Sequence, residues 1–266
     1  MSTRRFSKTL VALAGAFALA GCGGSDPSSN NGTGGTGGTG STETGSLLPL
    51  AVGNVWEYRV TATDGTVTKK RTTVLAREAV GGTGPYAALT AFKVETRKGP
   101  DLNSETDLDK TESWQGPASE CTSCGADVSR DPERIVRYRE LSYGAMTKLL
   151  QLEEFWDPPR IHVDGTTAHT KDGVLWIESY METKIPAGAA ATPAAKEEDL
   201  WRVTSGSEAV EVPSGRYEHS IHLTKTANSG SIKDYWYQRG VGKLRERGDN
   251  QTEELVSFTV GSGSTP

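Results

Sequence analysis

The cysteine pair Cys121-Thr122-Ser123-Cys124 is the sharpest polar motif in the chain. Three chemistries use such a spacing. A disulfide closes a tight loop in an oxidising compartment. A metal site needs two more ligands. A redox pair usually opens a helix in a thioredoxin-like βαβ setting. The four histidines supply no obvious ligand set. His219 and His222 are three apart on a predicted strand, so they face opposite sides. His162 and His169 flank Asp164-Gly165 and could approach one another. Nucleophilic catalysis needs a Ser or Cys beside a base and an orienting acid, yet no Gly-x-Ser-x-Gly elbow occurs. Glu153-Glu154 and Asp157 beside Trp156 could serve a glycosidase, but they also suit a solvated strand edge. Gly240-Val241-Gly242-Lys243 lacks the phosphate-loop spacing, and Leu244 stands where a hydroxyl is required. Arg247-Gly248-Asp249 reads as a turn with Asn250. The expectation is therefore a non-enzymatic chain with no catalytic residue, metal or cofactor. An envelope hydrolase is the weakest alternative.

The aromatic residues point elsewhere. Trp56, Trp176, Trp201 and Trp236 fall in predicted strands and are expected inside. Such an interior is either packed core or the lining of a site for a lipid or another apolar ligand.

The elements that must position these residues are strands. Val55 to Val60 alternates, with Trp56, Tyr58 and Val60 on one face and Glu57 and Arg59 on the other. Period two marks a half-buried strand. Asp64-Gly65 then signals a hairpin. Further strands are expected over 66–77, 87–97, 133–143, 149–156, 174–185, 200–204, 217–226, 234–238 and 253–260. Asp157-Pro158-Pro159 should stop the strand over 149–156, and Pro186 to Glu198 reads as a long loop. No segment beyond the amino end shows a long amphipathic helix. The predicted fold class is all-β: an antiparallel curved sheet forming an open or half barrel, with a β-sandwich as the alternative.

The amino end carries Arg4, Arg5 and Lys8, then an apolar run from Leu10 to Ala20. That run is about half the roughly 20 residues of a spanning helix, so it suits a cleaved signal. Leu19-Ala20-Gly21-Cys22 resembles the lipobox of bacterial lipoproteins. The resemblance implies cleavage before Cys22, lipidation of its thiol and acylation of the new amino group. Several acyl chains anchor stably where one does not. By resemblance to enterobacterial sorting, Gly23 in place of Asp favours the outer membrane. An oxidising envelope in turn suits the disulfide reading of Cys121 and Cys124.

This divides the chain into a signal (1–21), a lipidated Cys with a disordered linker (22–46), a β-rich domain (47–260) and a disordered tail (261–266). The linker is built from Gly, Thr and Ser and has almost nothing to bury. Its root-mean-square span is roughly 27 Å. Without Arg4, Arg5 and Lys8, the 29 basic residues fall to 26 against 34 acidic ones, a net charge of −8. That balance argues against nucleic acid as a partner. The expected partners are the lipid bilayer, through Cys22, and an envelope protein, glycan or lipid. Oligomeric state is left open.

A second resemblance covers the ends of the domain. Leu48-Pro49-Leu50-Ala51-Val52-Gly53-Asn54-Val55-Trp56-Glu57-Tyr58 is similar to the opening of many uncharacterised envelope lipoproteins. Val212-Pro213-Ser214-Gly215 and Tyr235-Trp236-Tyr237-Gln238-Arg239-Gly240-Val241-Gly242 are similar to their later turn and hairpin. The group also looks distantly like periplasmic open barrels that carry lipids or lipoproteins. It implies no chemistry.

Overall fold

The computed structural model describes residues 45–103, 108–124, 130–145 and 147–261. Cys22, the signal, most of the linker and the last five residues lie outside them.

Among the described residues the chain forms twelve antiparallel strands: β1 (Val55–Ala62), β2 (Val67–Ala79), β3 (Thr90–Gly99), β4 (Asp109–Pro117), β5 (Arg134–Tyr143), β6 (Leu150–Asp164), β7 (Leu175–Pro186), β8 (Ala195–Val212), β9 (Gly215–Ala227), β10 (Ile232–Gln238), β11 (Gly242–Gly248) and β12 (Gln251–Thr259). Each pairs with its sequence neighbours, and β12 pairs with β1 from Val55↔Thr259 to Ala62↔Gln251. The sheet is therefore a closed barrel. This corrects the expected open or half barrel and rules out the sandwich. Closure satisfies the backbone groups that two free edges would leave unpaired.

The hairpin ends follow the turn chemistry of the sequence. Gly65 takes φ +85°, and Asp64 Oδ1 accepts from the Thr66 amide at 2.8 Å. Asp249 and Asn250 both take the left-handed conformation, at φ 49° and 62°, which makes Arg247-Gly248-Asp249 the start of a turn. The proline stop does not hold: β6 runs on to Asp164. Its pairing to β5 skips from Arg160 to Phe155, so Asp157, Pro158 and Pro159 fall in a bulge. Proline costs no ladder bond there.

Alternation sorts the side chains. Trp56, Tyr58, Val74, Val94, Ile135, Val203, Leu223, Leu244 and Leu255 build the inner core. Residues 45–50 lie across one end of the barrel. Leu47 is fully buried, Gly240 N donates to Ser46 O, and Arg239 donates to the carbonyls of Gly45 and Gly165. A second cluster sits on the outer face of β3 to β5. There Val80, Tyr86, Trp114, Val136 and Tyr138 pack with Cys121 and Cys124. Those two cysteines are disulfide-bonded, with Cα atoms 5.4 Å apart.

Elsewhere the outer face carries ion pairs on β1, β2, β3, β11 and β12, while Leu175, Ile177 and Leu200 are exposed on β7 and β8. Glu57 pairs with Arg71 at 2.7 Å, Arg59 and Arg245 with Glu254 at 2.6 and 3.0 Å, and Arg97 with Glu95 at 2.7 Å. A lipid-facing band would be apolar there, since a mid-bilayer Arg costs about 2–4 kcal/mol. The strands that carry these ion pairs present a charged outer face.

Candidate binding site: the barrel lumen

The inner face is polar over much of its length. Lys70 and Thr72 on β2, Thr96 on β3, Gln115 on β4, Arg137 on β5, Arg160 and His162 on β6, Lys225 on β9, and Lys243 and Glu246 on β11 line a cavity of about 290 Å³. Leu48, Leu50 and Val94 add apolar lining, and Trp56, Tyr58, Trp201, Tyr235 and Tyr237 add aromatic wall.

Two ionic clusters organise the wall. In the first, Lys70 Nζ donates to both oxygens of Glu253, at 2.9 and 2.7 Å. Lys243 Nζ donates to Glu253 at 2.8 Å and also to Glu246. Burial opposes the charge on Glu253, yet Lys243 and Lys70 hold its carboxyl well below the usual range. Burial also works against Lys243, but Glu246 and Glu253 keep it firmly protonated. The Lys243 ammonium lies 5.2 Å from the ring centre of Tyr58. In the second cluster, Asp199 Oδ2 accepts from Arg160, Tyr180 and Lys225 at 3.1, 3.1 and 3.2 Å. Beside it, Glu178 accepts from Trp201 Nε1 at 3.0 Å and from the Ile161 amide.

Between the clusters, Arg137 Nη2 lies 3.1 Å from His162 Nδ1. A guanidinium only donates, so Nδ1 accepts and the ring proton sits on Nε2. Burial pushes the His162 pKa well below the ordinary imidazole value, and Arg137, Lys243, Arg160 and Lys70 push it the same way.

Burial lifts Glu178 to about 7, with Asp199 adding to the rise and Trp201, Ile161 and Arg160 opposing it. A carboxyl raised by folding keeps a proton that the unfolded chain releases. Its contribution is intact below about pH 4.3 and is lost as pH climbs towards 7. His162 acts in the opposite sense, favouring the fold as pH rises past about 6.5. Subtracting a variant separates them: between pH 5 and pH 8, Glu178→Gln should gain stability relative to wild type. Urea midpoints at the two pH values measure this, and parallel curves would show that Glu178 titrates normally.

The sequence-predicted residues divide. Trp56 and Trp201 line the lumen. Trp176 is half-buried and stacked between His169 and Trp201, at 4.3 and 5.8 Å. Trp236 alternates with the lumen residues Tyr235 and Tyr237, so it points outward. It is covered there by His222 at 4.1 Å, by Arg245 and Arg247, and it donates to Glu208. The four tryptophans thus form no single apolar lining: Trp56 and Trp201 share the cavity wall with charged residues, and Trp236 lies on the outer face. His162 and His169 have separate partners, since His169 Nδ1 donates to Asp164 at 2.7 Å. His219 pairs with Ser207. Glu153 bonds Arg139, whereas Glu154 lies 3.7 Å from Lys184 Nζ. Asp157 accepts from Tyr86, so the three acids have three different partners. No group of three or more metal-ligating side chains occurs among the described residues.

No protein-family model matches the chain, and no curated protein does. Two solved structures resemble it. One is a presumed exported protein with a YmcC-like fold from Bacteroides fragilis NCTC 9343, at 9% identity and a TM-score of 0.46, over 82% of this chain and 100% of that one. The other is a presumed lipoprotein from Parabacteroides distasonis ATCC 8503, at 10% identity and a TM-score of 0.39, over the same shares.

Proposed function

We propose that this chain is a bacterial envelope lipoprotein whose barrel binds a small molecule in its lumen and catalyses nothing. The lumen cavity carries the binding half of this reading. At about 290 Å³ it sits at the lower edge of small-molecule sites, which run from about 300 Å³. Its carboxylates Glu253, Asp199 and Glu246 are each tied to cations, and Glu178 is held by Trp201 Nε1 and the Ile161 amide, which suits a fixed binding wall. A lipid carrier fits less well, because an acyl chain would lie against Arg160, Lys225 and Lys243 and strip their hydration.

The anchoring half rests on Leu19-Ala20-Gly21-Cys22, with Gly23 favouring the outer membrane. Cys22→Ala should abolish palmitate incorporation and move the protein from the membrane to the soluble fraction. Labelling and fractionation unchanged by that substitution would remove the anchor. Mass spectrometry of protein purified from its host and extracted with solvent should recover a stoichiometric low-mass ligand.

A further inference from the structure

The lumen has more donors than acceptors around one spot. Arg160 carries five N–H donors and Lys225 three, and both lean on a single oxygen of Asp199 that Tyr180 also uses. Both line the cavity, as do Arg137 and the ring of His162, whose Nε2 is left as a donor. The charged groups facing His162 most strongly are four cations. Glu253 and Glu246 meet Lys70 and Lys243, and Glu140 pairs with Arg137, but Arg160 and Lys225 share one oxygen of Asp199, and buried cations are costly where anions meet them only in part.

A second feature points to a different group on the same molecule. Gln115 is 3% exposed and lines the cavity. Its amide nitrogen donates to Ser113 Oγ at 2.7 Å, while its Oε1 finds no donor among the described residues. A buried amide oxygen without a donor forfeits the hydrogen bonds that water gave it in the unfolded chain. It is retained where something else supplies the donor, and a hydroxyl is the natural one. Trp201 and Tyr235, with ring centres 5.9 Å apart, wall the cavity beside these polar groups, and Lys225 Nζ lies 5.5 Å from the Trp201 ring centre.

Resting on the reading of the lumen as a ligand site, we propose that its ligand is a hydroxylated organic anion of about monosaccharide size. Its oxyanion sits against Arg160, Lys225, Arg137 and His162. A hydroxyl donates to Gln115 Oε1, and the ring lies along Trp201 and Tyr235. Carboxylate and phosphoryl groups share this oxyanion chemistry, so the test includes one of each.

The experiment is calorimetric titration of the full chain in detergent micelles with glucuronate, glucose 6-phosphate, glucose, inorganic phosphate and palmitate. One or both sugar anions should saturate at one per chain, at least tenfold tighter than glucose and inorganic phosphate. The tighter of the two assigns the oxyanion as carboxylate or phosphoryl. Gln115→Leu should weaken that binding at least tenfold while raising the Tm of the ligand-free protein, an opposite pairing that a merely structural glutamine would not give. Lys225→Gln should weaken the anions and leave glucose unchanged. Glucose binding as tightly as the acids overturns the proposal, and so does inorganic phosphate matching glucose 6-phosphate. Palmitate as the best ligand overturns it too. If neither sugar anion binds, the anion class falls. The host-extracted protein then separates the two readings: another low-mass ligand preserves a binding lumen, and an empty one removes both.

Discussion

Glu253→Gln should lower the unfolding free energy by about 3–5 kcal/mol, the range for breaking a buried ion pair by removing one partner. Glu253 is 3% exposed and receives three charge-assisted hydrogen bonds, two from Lys70 and one from Lys243. An amide in its place leaves two buried ammonium groups facing Glu246 alone. Adding Lys70→Met should recover much of the loss, because Lys243 and Glu246 then remain as a matched pair. The effect has a pH signature. Folding depresses the Glu253 carboxyl, so its stabilisation is complete above the unfolded value, about 4.3, and disappears as pH falls through the lower folded value. Asp164, Asp234 and Glu254 are depressed as well and lose stability in the same direction. Wild type should therefore weaken steeply below about pH 4, where the difference from Glu253→Gln should shrink. Urea titrations at pH 7 and pH 3.5 check both statements. A loss under 1 kcal/mol at pH 7 would mean that solvent screens the cluster and that Glu253 is not a buried anchor of the lumen wall.

The same polar lumen explains which strands the sequence conceals. Strands with an apolar inner face, such as Val55–Ala62, show period two plainly. β4 places Thr111, Ser113 and Gln115 inward and Lys110, Glu112 and Trp114 outward. Both faces are polar, no alternation appears, and that strand escapes a hydrophobic reading. β11 fails for the same reason, with Lys243 and Glu246 inside and Arg245 and Arg247 outside. The segment from Ala195 to Glu198 joins β8, although its Ala and Pro neighbours suggest a loop. Two unseen strands are enough to turn a closed barrel into an open one on paper. The lumen cations were equally illegible, because Lys70 and Lys69 look alike until register decides which faces inward. The disulfide is one of three readings that its spacing allows, and the oxidising envelope implied by the lipobox favours it. Trp56 and Trp201 were legible because large aromatics in strands are seldom left in water.

The terminal motifs were read as separate marks, and the barrel shows them to be one joint. Trp56 on β1 is 1% exposed, stacks on Phe258 at 5.2 Å and donates its indole N–H to Val241 O at 2.6 Å. Gly242, the next residue, holds φ +109°, and a Cβ there would lie 2.7 Å from the same indole nitrogen. Asn54 ties the joint to its surroundings, donating to Pro49 O and accepting from the Gly261 amide. Only glycine meets both demands at 242, a left-handed backbone and a neighbour that cannot retreat. Trp56→Ala should cost about 3–5 kcal/mol, as large-to-small changes of buried aromatics do. Gly242→Ala combines backbone strain of about 1–3 kcal/mol with overpacking of similar size. The two losses should not add. Once Trp56 is gone, the alanine methyl has room, and the double variant should be more stable than the sum of the singles by about 1–3 kcal/mol. Denaturant unfolding of all four proteins measures that coupling. Strict additivity would show that 185 residues of intervening chain separate two independent features, and that the contact between them does not hold the barrel closed.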